Sequence, residues 1–124
     1  LLDLYLRNQV DADRDHSIRD AVLRAWQGAE AYTLSSYHTV GRLNKGAQIG
    51  AEASTNKIVW SELDIMIHET AMRILGARAE LIDDAEANEW LEGFLFSQAG
   101  PIYAGSNEIQ RNIIAQRMLG LPKS

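Results

Sequence analysis

The residues best suited to chemistry lie near the end of the 124-residue chain, between Tyr103 and Arg111. Gly105 can adopt backbone angles closed to other residues, and it lets a ligand approach the chain closely. Ser106 can cap a helix that follows it, and the free N–H groups of a first helical turn can bind an anion. These residues alone allow phosphate or pyrophosphate binding, although an ordinary capped helix is the better interpretation.

Two shorter patterns resemble catalytic motifs without the partners that their chemistry needs. Ser54 and Lys57 have the Ser-x-x-Lys spacing of serine acyl-enzymes, but the companion motifs are missing. We therefore interpret Ser54 as a residue in the first turn of a helix and Lys57 as part of a solvated face. His68-Glu69 resembles the start of a zinc-protease helix, but Met72 stands where the second His is required.

Composition excludes several classes of function. The net charge is −5 and the 12 basic residues are scattered, which argues against a nucleic-acid partner. The histidines are dispersed, and the acidic run at 83–86 lacks the alternation of a calcium loop, so no metal site is predicted. The absence of cysteine excludes disulfides and fits a reducing cytoplasm, the expected location. No apolar stretch approaches the ~20 residues that span a bilayer.

Apolar residues spaced by three or four positions predict helices along nearly the whole chain. The expected elements are a first segment to about Gln9, a polar loop at Asp11 to Asp15, helices at His16 to Lys45, Ala51 to Leu75 and Glu86 to Gln98, a connection at Ala77 to Ala85, and a last helix from Ser106 to Gly120. Gly46 and Gly76 are the expected helix stops, and either Asp83 or Asp84 is the expected cap of the helix at 86–98. The predicted fold class is all-α, an antiparallel up-and-down helical bundle.

The same spacing predicts which faces of the helices are buried. The expected buried residues of the helix at 16–45 are Ile18, Val22, Trp26, Ala29, Thr33, Tyr37 and Val40. Those of the helix at 51–75 are Ile58, Val59, Leu63, Met66, Ile67, Thr70, Ala71 and Ile74, and those of the helix at 86–98 are Trp90, Leu91, Phe94 and Leu95. No capping residue precedes the apolar residues at the start, so we expect the chain to begin inside a helix, as a fragment.

The C-terminal segment from Ile102 to Pro122 resembles the C-terminal signature of the acyl-CoA dehydrogenases, and weaker resemblance covers 53–57 and 67–76. The resemblance implies that residues 1–124 form the C-terminal four-helix-bundle domain of such a protein. It implies a flavoprotein oxidoreductase that desaturates acyl-CoA thioesters at the α,β position with FAD. The implied partners are the acyl-CoA substrate, an electron-transfer flavoprotein or similar acceptor, and further subunits in a homo- or hetero-oligomer.

The resemblance also assigns roles to individual residues. It places Gly105 against the acyl thioester and puts Ser106, Asn107 and Glu108 in contact with FAD. Arg7 falls near an arginine that reaches the FAD of a neighbouring subunit.

The sequence departs from the family pattern at two places. Ala104 stands where the commonest branch carries its catalytic glutamate, so this loop supplies no base. In other members the base projects from the first helix of the domain, or a partner subunit completes the site. The second departure is Gly76-Ala77-Arg78-Ala79, which replaces a Gly-Gly-x-Gly run that touches the adenosine side of FAD.

Three readings of the whole protein stay open. The first is an enzyme of which this chain alone is inactive. The second is a non-catalytic or half-site subunit of a heteromeric acyl-CoA dehydrogenase that serves assembly. The third, a free-standing helical interaction module, requires the C-terminal match to be accidental.

Overall fold

The computed structural model describes residues 1–8, 16–81 and 83–123, which form helices joined by short turns. The described α-helices are α1 Leu2–Arg7, α2 His16–Asn44, α3 Glu52–Leu75, α4 Ala85–Ser97 and α5 Asn107–Arg117. A 3-10 helix, Gly76–Glu80, follows α3 directly. This confirms the all-α prediction, and none of the described helices is long and apolar enough to cross a membrane.

Helix ends follow the predicted stop and start signals closely. Gly46 and Gly76 have φ of 86° and 54°, backbone angles that favour glycine, and they end α2 and α3. Of the two candidate caps of α4, Asp84 is the one that accepts a hydrogen bond from the amide of Ala87. The predicted connection at 77–85 is wrong in its first half, because the 3-10 helix occupies it. The predicted segment end at Gln9 and the loop at Asp11 to Asp15 lie outside the described residues.

The central element of the bundle is α3, which contacts α1, α2, α4, α5 and the 3-10 helix. Its two ends are packed differently. Around its C-terminal end the buried residues are almost all apolar, and we call this the apolar end. Its members are Leu4, Tyr5, Ile18, Val22, Ala71, Ile74, Leu75 and Ala87.

Around the N-terminal half of α3 the buried side chains are polar, and we call this the polar end. Its buried members are Ser54, Ser61, Ser97, Asn107 and Gln110. The turn after α4 rests here on α3, because a Cβ built on Gly100 would lie 3.2 Å from the Cβ of Ser61. The polar end therefore positions the loop that joins α4 to α5.

The predicted buried face of α2 is wrong at four positions. Trp26, Thr33, Tyr37 and Val40 are exposed, whereas Ala25 is buried. The helix turns small residues toward its neighbour, since a Cβ on Gly28 would lie 2.8 Å from a methyl of Leu63. Larger side chains on this line would hold α2 and α3 apart, so the face with the largest apolar residues is not the packed face.

The other helices depart from prediction at single positions. Val59 of α3 and Leu95 of α4 are exposed, although the spacing predicted both inside. Both residues lie at the edge of the packed face of their helix, where the next position around the helix is already in solvent.

Candidate functional site

The loop between α4 and α5 leads directly into a capped helix. Ser106 is the N-cap of α5, and its hydroxyl accepts a hydrogen bond from the amide of Ile109 at 3.4 Å. The amide of Asn107 donates to the carbonyl of Pro101 at 2.8 Å, which closes the loop upon itself. The predicted N-cap at Ser106 is therefore confirmed.

Two consecutive residues of this loop have left-handed backbone angles. Ala104 has φ of 54° and Gly105 has φ of 86°, and Ala104 is the one non-glycine residue with positive φ in the described part of the chain. The amide group of Gln110 holds this bend, because its Nε2 donates to the carbonyls of Ala104 at 3.2 Å and Gly105 at 3.4 Å. A Cβ at Gly105 would lie 2.9 Å from the same Nε2, so glycine is required by both angle and space.

The bend presents main-chain donors on the surface. Ala104 and Gly105 are exposed and Ser106 is partly exposed, and their amides form no hydrogen bond to other described residues. Consecutive amides around a left-handed bend point in similar directions and can bind one electronegative atom together. The loop therefore offers N–H donors beside a side chain, that of Ala104, which has no polar atom.

The first turn of α5 already carries a negative charge. Glu108 accepts hydrogen bonds from its own amide and from the Ser106 hydroxyl, and Arg111 and Lys57 add positive charge nearby. These interactions, in that order, hold the pKa of Glu108 below its ordinary value of 4.5. An ionised carboxylate at this helix start repels a second anion, so the pyrophosphate alternative is disfavoured here.

Asn107 is buried beneath the loop, with its side chain in contact with α3. Its Oδ1 accepts a hydrogen bond from Nζ of Lys57 at 2.7 Å, and its Nδ2 donates to Oγ of Ser61 at 3.1 Å. The prediction that Lys57 belongs to a solvated face is wrong, because this side chain is half-buried between α3 and α5. The signal in the sequence was the pair Lys57 and Ser61, four residues apart on one helix face.

Arg7 lies at the opposite end of the bundle from Ser106. Its guanidinium forms an ion pair with Glu86 at 2.6 Å, beside Arg78, which pairs with Asp84 at 2.8 Å. Glu86 follows the C-terminal end of α3, about 20 Å along the helix from the residues that hold Asn107, at 1.5 Å per residue. The structure therefore does not bring Arg7 together with the other predicted cofactor residues within one chain.

The two motifs rejected from the sequence form no catalytic arrangement. Ser54 is buried in the first turn of α3, while the Lys57 ammonium is bonded to Asn107. The Nδ1 atom of His68 lies 3.3 Å from the carboxylate of Asp64, and its ring packs edge-on against Trp90. No group of three metal-binding side chains occurs in the described ranges.

An aromatic cluster that the sequence did not predict borders the loop. The ring of Tyr103 lies 6.0 Å from that of Trp60 and 6.3 Å from that of Phe96, measured between centroids. Phe96 and Tyr103 are both exposed, so they form an apolar surface beside the amides of the bend.

Comparison with known proteins gives consistent matches over nearly the whole chain. The sequence profile described as "Acyl-CoA dehydrogenase, C-terminal domain" matches residues 5–119. Over 118 residues the chain is 36% identical to acyl-CoA dehydrogenase IpdE1 of Mycobacterium tuberculosis, covering 95% of this chain and 30% of that protein. The IpdE1 of Mycolicibacterium smegmatis is 35% identical over the same length, with 29% of that protein covered.

A solved structure shares the fold. The chain named Tcur3481-Tcur3483 steroid ACAD superimposes with a TM-score of 0.77 and 21% identity, covering 99% of this chain and 34% of that one. The present chain spans about 30% of the length of the curated relatives that it matches.

Proposed function

This chain belongs to the acyl-CoA dehydrogenase family, and we propose that it is the C-terminal domain of an enzyme that desaturates acyl-CoA thioesters at the α,β position. The observation that carries this proposal is the left-handed bend at Ala104 and Gly105, with its exposed amides. The bend lies within the segment that matches the family, directly before the capped helix α5.

The amides of the bend would bind the thioester carbonyl oxygen. Hydrogen bonds to that oxygen stabilise the negative charge that develops when the α-proton leaves, and so make that proton more acidic. Gly105 lets the thioester approach the main chain because it has no side chain. The methyl group of Ala104 cannot accept a proton, so the base would come from outside this loop, from the first helix of the domain or from a partner.

The residues at the start of α5 fit the uncharged part of FAD. The Ser106 proton is donated to Glu108, but its oxygen can still accept a hydrogen bond from a neutral hydroxyl group, whereas the carboxylate of Glu108 disfavours the diphosphate. When bound, FAD supplies the acceptor for the β-hydride. The Asn107 side chain is engaged by Lys57 and Ser61, which favours an anchoring role for this residue.

Arg7 is proposed to contact the FAD of a neighbouring subunit. Its side chain is 65% exposed, and its ion pair with Glu86 is a surface interaction that leaves other N–H groups accessible. The position of Arg7, far from Ser106 in its own chain, supports a contact with a second subunit rather than with its own cofactor.

A face of α2 supports the proposal of an oligomer. Large apolar residues are exposed along it: Leu23, Trp26, Leu34, Tyr37 and Val40. Single exposed apolar residues are normal on a protein surface, whereas a continuous stripe of them is typical of a protein–protein interface. An electron-transfer flavoprotein or similar acceptor and a cytoplasmic location belong to the same proposal.

The alternative function is that of a half-site or assembly subunit in a heteromeric acyl-CoA dehydrogenase. Ala104 is the observation that favours it, because this loop offers no base. A glutamate on the upstream part of the first helix in the full-length sequence would contradict the alternative.

The experiment uses the full-length protein, purified with any partner subunit, and follows the flavin absorbance during anaerobic titration with acyl-CoA. We expect bound FAD that is bleached by substrate. Gly105→Ala should lower kcat/KM by about 100-fold or more, since it displaces a main-chain donor from the developing oxyanion. Gly46→Ala is the matched control, because Gly46 has the same φ of 86°, lies outside this loop, and no atom lies within 4 Å of the added Cβ.

Two outcomes would count against the proposal. Full-length protein that binds no FAD in the presence of its partner would refute the enzyme reading. Bound FAD that is not bleached by the protein alone, but is bleached after a second subunit is added, would favour the half-site alternative.

A further inference from the structure

A lysine ammonium group is bonded to a buried amide at the junction of α3 and α5. Asn107 is the first residue of α5 and is 3% exposed, and its Oδ1 lies 2.7 Å from Nζ of Lys57. A hydrogen bond from an ammonium group is shorter and stronger than one between neutral groups. It also restricts the direction of the amide more tightly than apolar packing does.

The other half of the same amide is fixed by Ser61, which is fully buried. The Ser61 hydroxyl has one proton, and two acceptors lie within its reach: the carbonyl of Ile58 at 3.0 Å and Oδ1 of Asn107 at 3.2 Å. Its oxygen is then free to accept the Nδ2 proton of Asn107 at 3.1 Å. Because an ammonium group can only donate, Lys57 determines which end of the Asn107 amide is the oxygen. The Nδ2 end then donates to Ser61 and lies 3.5 Å from Oε1 of Glu62.

The loop that carries the bend is attached to this amide at short range. The main-chain N–H of Asn107 donates to Pro101, and its neighbour Ser106 is the cap of α5. Gly100, at the other end of the loop, rests on Ser61. Both ends of the segment 100–107 therefore meet α3 at the same turn.

We propose that Lys57, acting through Asn107, is a positioning residue that fixes the exposed amides of Ala104–Ser106 relative to α3. This deepens the proposed function, on which it rests for its catalytic meaning. Lys57 does not touch the reacting atoms. Its charge orients the Asn107 side chain, and Asn107 is the residue at which the loop meets α3. Lys57 also lies close enough to Glu108 to help keep that carboxyl ionised.

A second cationic residue joins the same two helices and gives a matched control. Arg111 of α5 pairs with Glu62 of α3, one turn along the interface from Asn107. Both of these side chains are about half exposed, so the pair contributes little direction or stability. Removing either Lys57 or Arg111 deletes one positive charge between α3 and α5. Only Lys57 is bonded to Asn107 directly, whereas Arg111 reaches it through Glu62, whose Oε1 lies 3.5 Å from Nδ2 of Asn107.

The first experiment measures amide hydrogen exchange by NMR in the 124-residue chain, without flavin or substrate. Lys57→Met should raise the exchange rates of the Asn107, Ile109 and Gln110 amides about 10-fold relative to the amides of Ala71 and Ala87. Arg111→Met should raise all of them by a common factor. Lys57→Arg should recover most of the protection, because a guanidinium can donate to the same oxygen.

The second experiment measures steady-state kinetics in the flavin-loaded full-length protein. Lys57→Met should lower kcat about 10-fold with KM changed less than twofold, and Lys57→Arg should restore most of kcat. A uniform rise of exchange rates throughout the chain in Lys57→Met would overturn the proposal, since it would show a contribution to stability alone. Unchanged exchange at 107–110 would overturn it as well. Because exchange requires no cofactor, failure of the proposed enzyme activity would leave this readout intact.

Discussion

The two ends of α3 are held by different kinds of interaction. At the apolar end, α1, α2 and α4 bury methyl and aromatic groups against α3, and the free energy gained depends on area rather than direction. At the polar end, serine and amide side chains bond across helices with fixed geometry. The comparison teaches that the apolar end supplies stability to the bundle, while the polar end fixes the position of one loop.

At both ends of α3 the buried polar side chains have hydrogen-bond partners. Within the described residues, no buried side-chain nitrogen or oxygen lacks a hydrogen-bond partner. An unpaired group at the polar end would cost about 1–3 kcal/mol, which would cancel much of what the network contributes. The polar end is therefore stable only because its polar groups are paired. Lys57 donates to Asn107, Ser61 to the carbonyl of Ile58, and Gln110 to the carbonyl of Ala104.

The largest expected effect comes from breaking the apolar end. Leu4→Ala removes a side chain that is 1% exposed and leaves a cavity, so we expect the free energy of unfolding to fall by about 3 kcal/mol. Urea unfolding followed by circular dichroism measures it. Leu6→Ala, on the same helix but 54% exposed, should change it by less than about 0.5 kcal/mol. Equal losses for both variants would contradict the assignment of the core to this end.

A smaller effect of opposite sign is expected at the bend above the polar end. Ala104→Gly removes the strain of a left-handed alanine, which outweighs the entropy that glycine loses, so stability should rise by about 0.5–1 kcal/mol. Ala115→Gly within α5 is the matched control and should lower stability by about 1 kcal/mol. A loss of stability in both variants would show that Ala104 is not strained. Thermal unfolding of the three proteins makes the comparison.

The smallest expected effect is on the stability of the folded chain at acid pH. The amide of Ala87 and then the guanidinium of Arg78 hold the pKa of Asp84 below its ordinary value of 3.8. A lowered pKa means that this contribution to stability is present above pH 3.8 and is lost as the pH falls through the folded-state pKa. Asp84→Asn keeps a capping oxygen but removes the charge, so the stability advantage of the parent chain should shrink below about pH 4.

The matching change at the polar end is Glu108→Gln. The pKa of Glu108 is also lowered, but its side chain is 77% exposed against 21% for Asp84, so solvent screens its interactions more. We expect a smaller pH-dependent difference for this variant. A larger one, measured by urea titration at several pH values, would reverse the comparison between the ends.

Much of the fold could be predicted from the sequence because helices are local structures. Spacing, the stops at Gly46 and Gly76 and the cap at Ser106 placed the helices within a few residues of their observed ends. The buried face of α2 could not be predicted in the same way. Its rotation depends on where Gly28 meets Leu63, a contact between residues that are distant in sequence.

The candidate site was predicted in part, and chiefly by resemblance to a family. Gly105 and Ser106 stand out because their types are matched to a bend and a cap. Asn107 and Lys57 are 50 residues apart, so no local pattern indicates that they are bonded. The cofactor contacts of Ser106, Asn107, Glu108 and Arg7 stay predictions, to be tested in the full-length protein.

The exposed half of α2 has a consequence for how the protein responds to its own concentration. Thr33 and Thr39 bond their hydroxyls back to main-chain carbonyls, both are weak helix formers, and Thr33 is exposed. If a second subunit covers the stripe, as proposed, association and the ordering of residues 30–44 become one linked equilibrium. Dilution should then loosen this half of the helix first, while the apolar end of α3 remains folded.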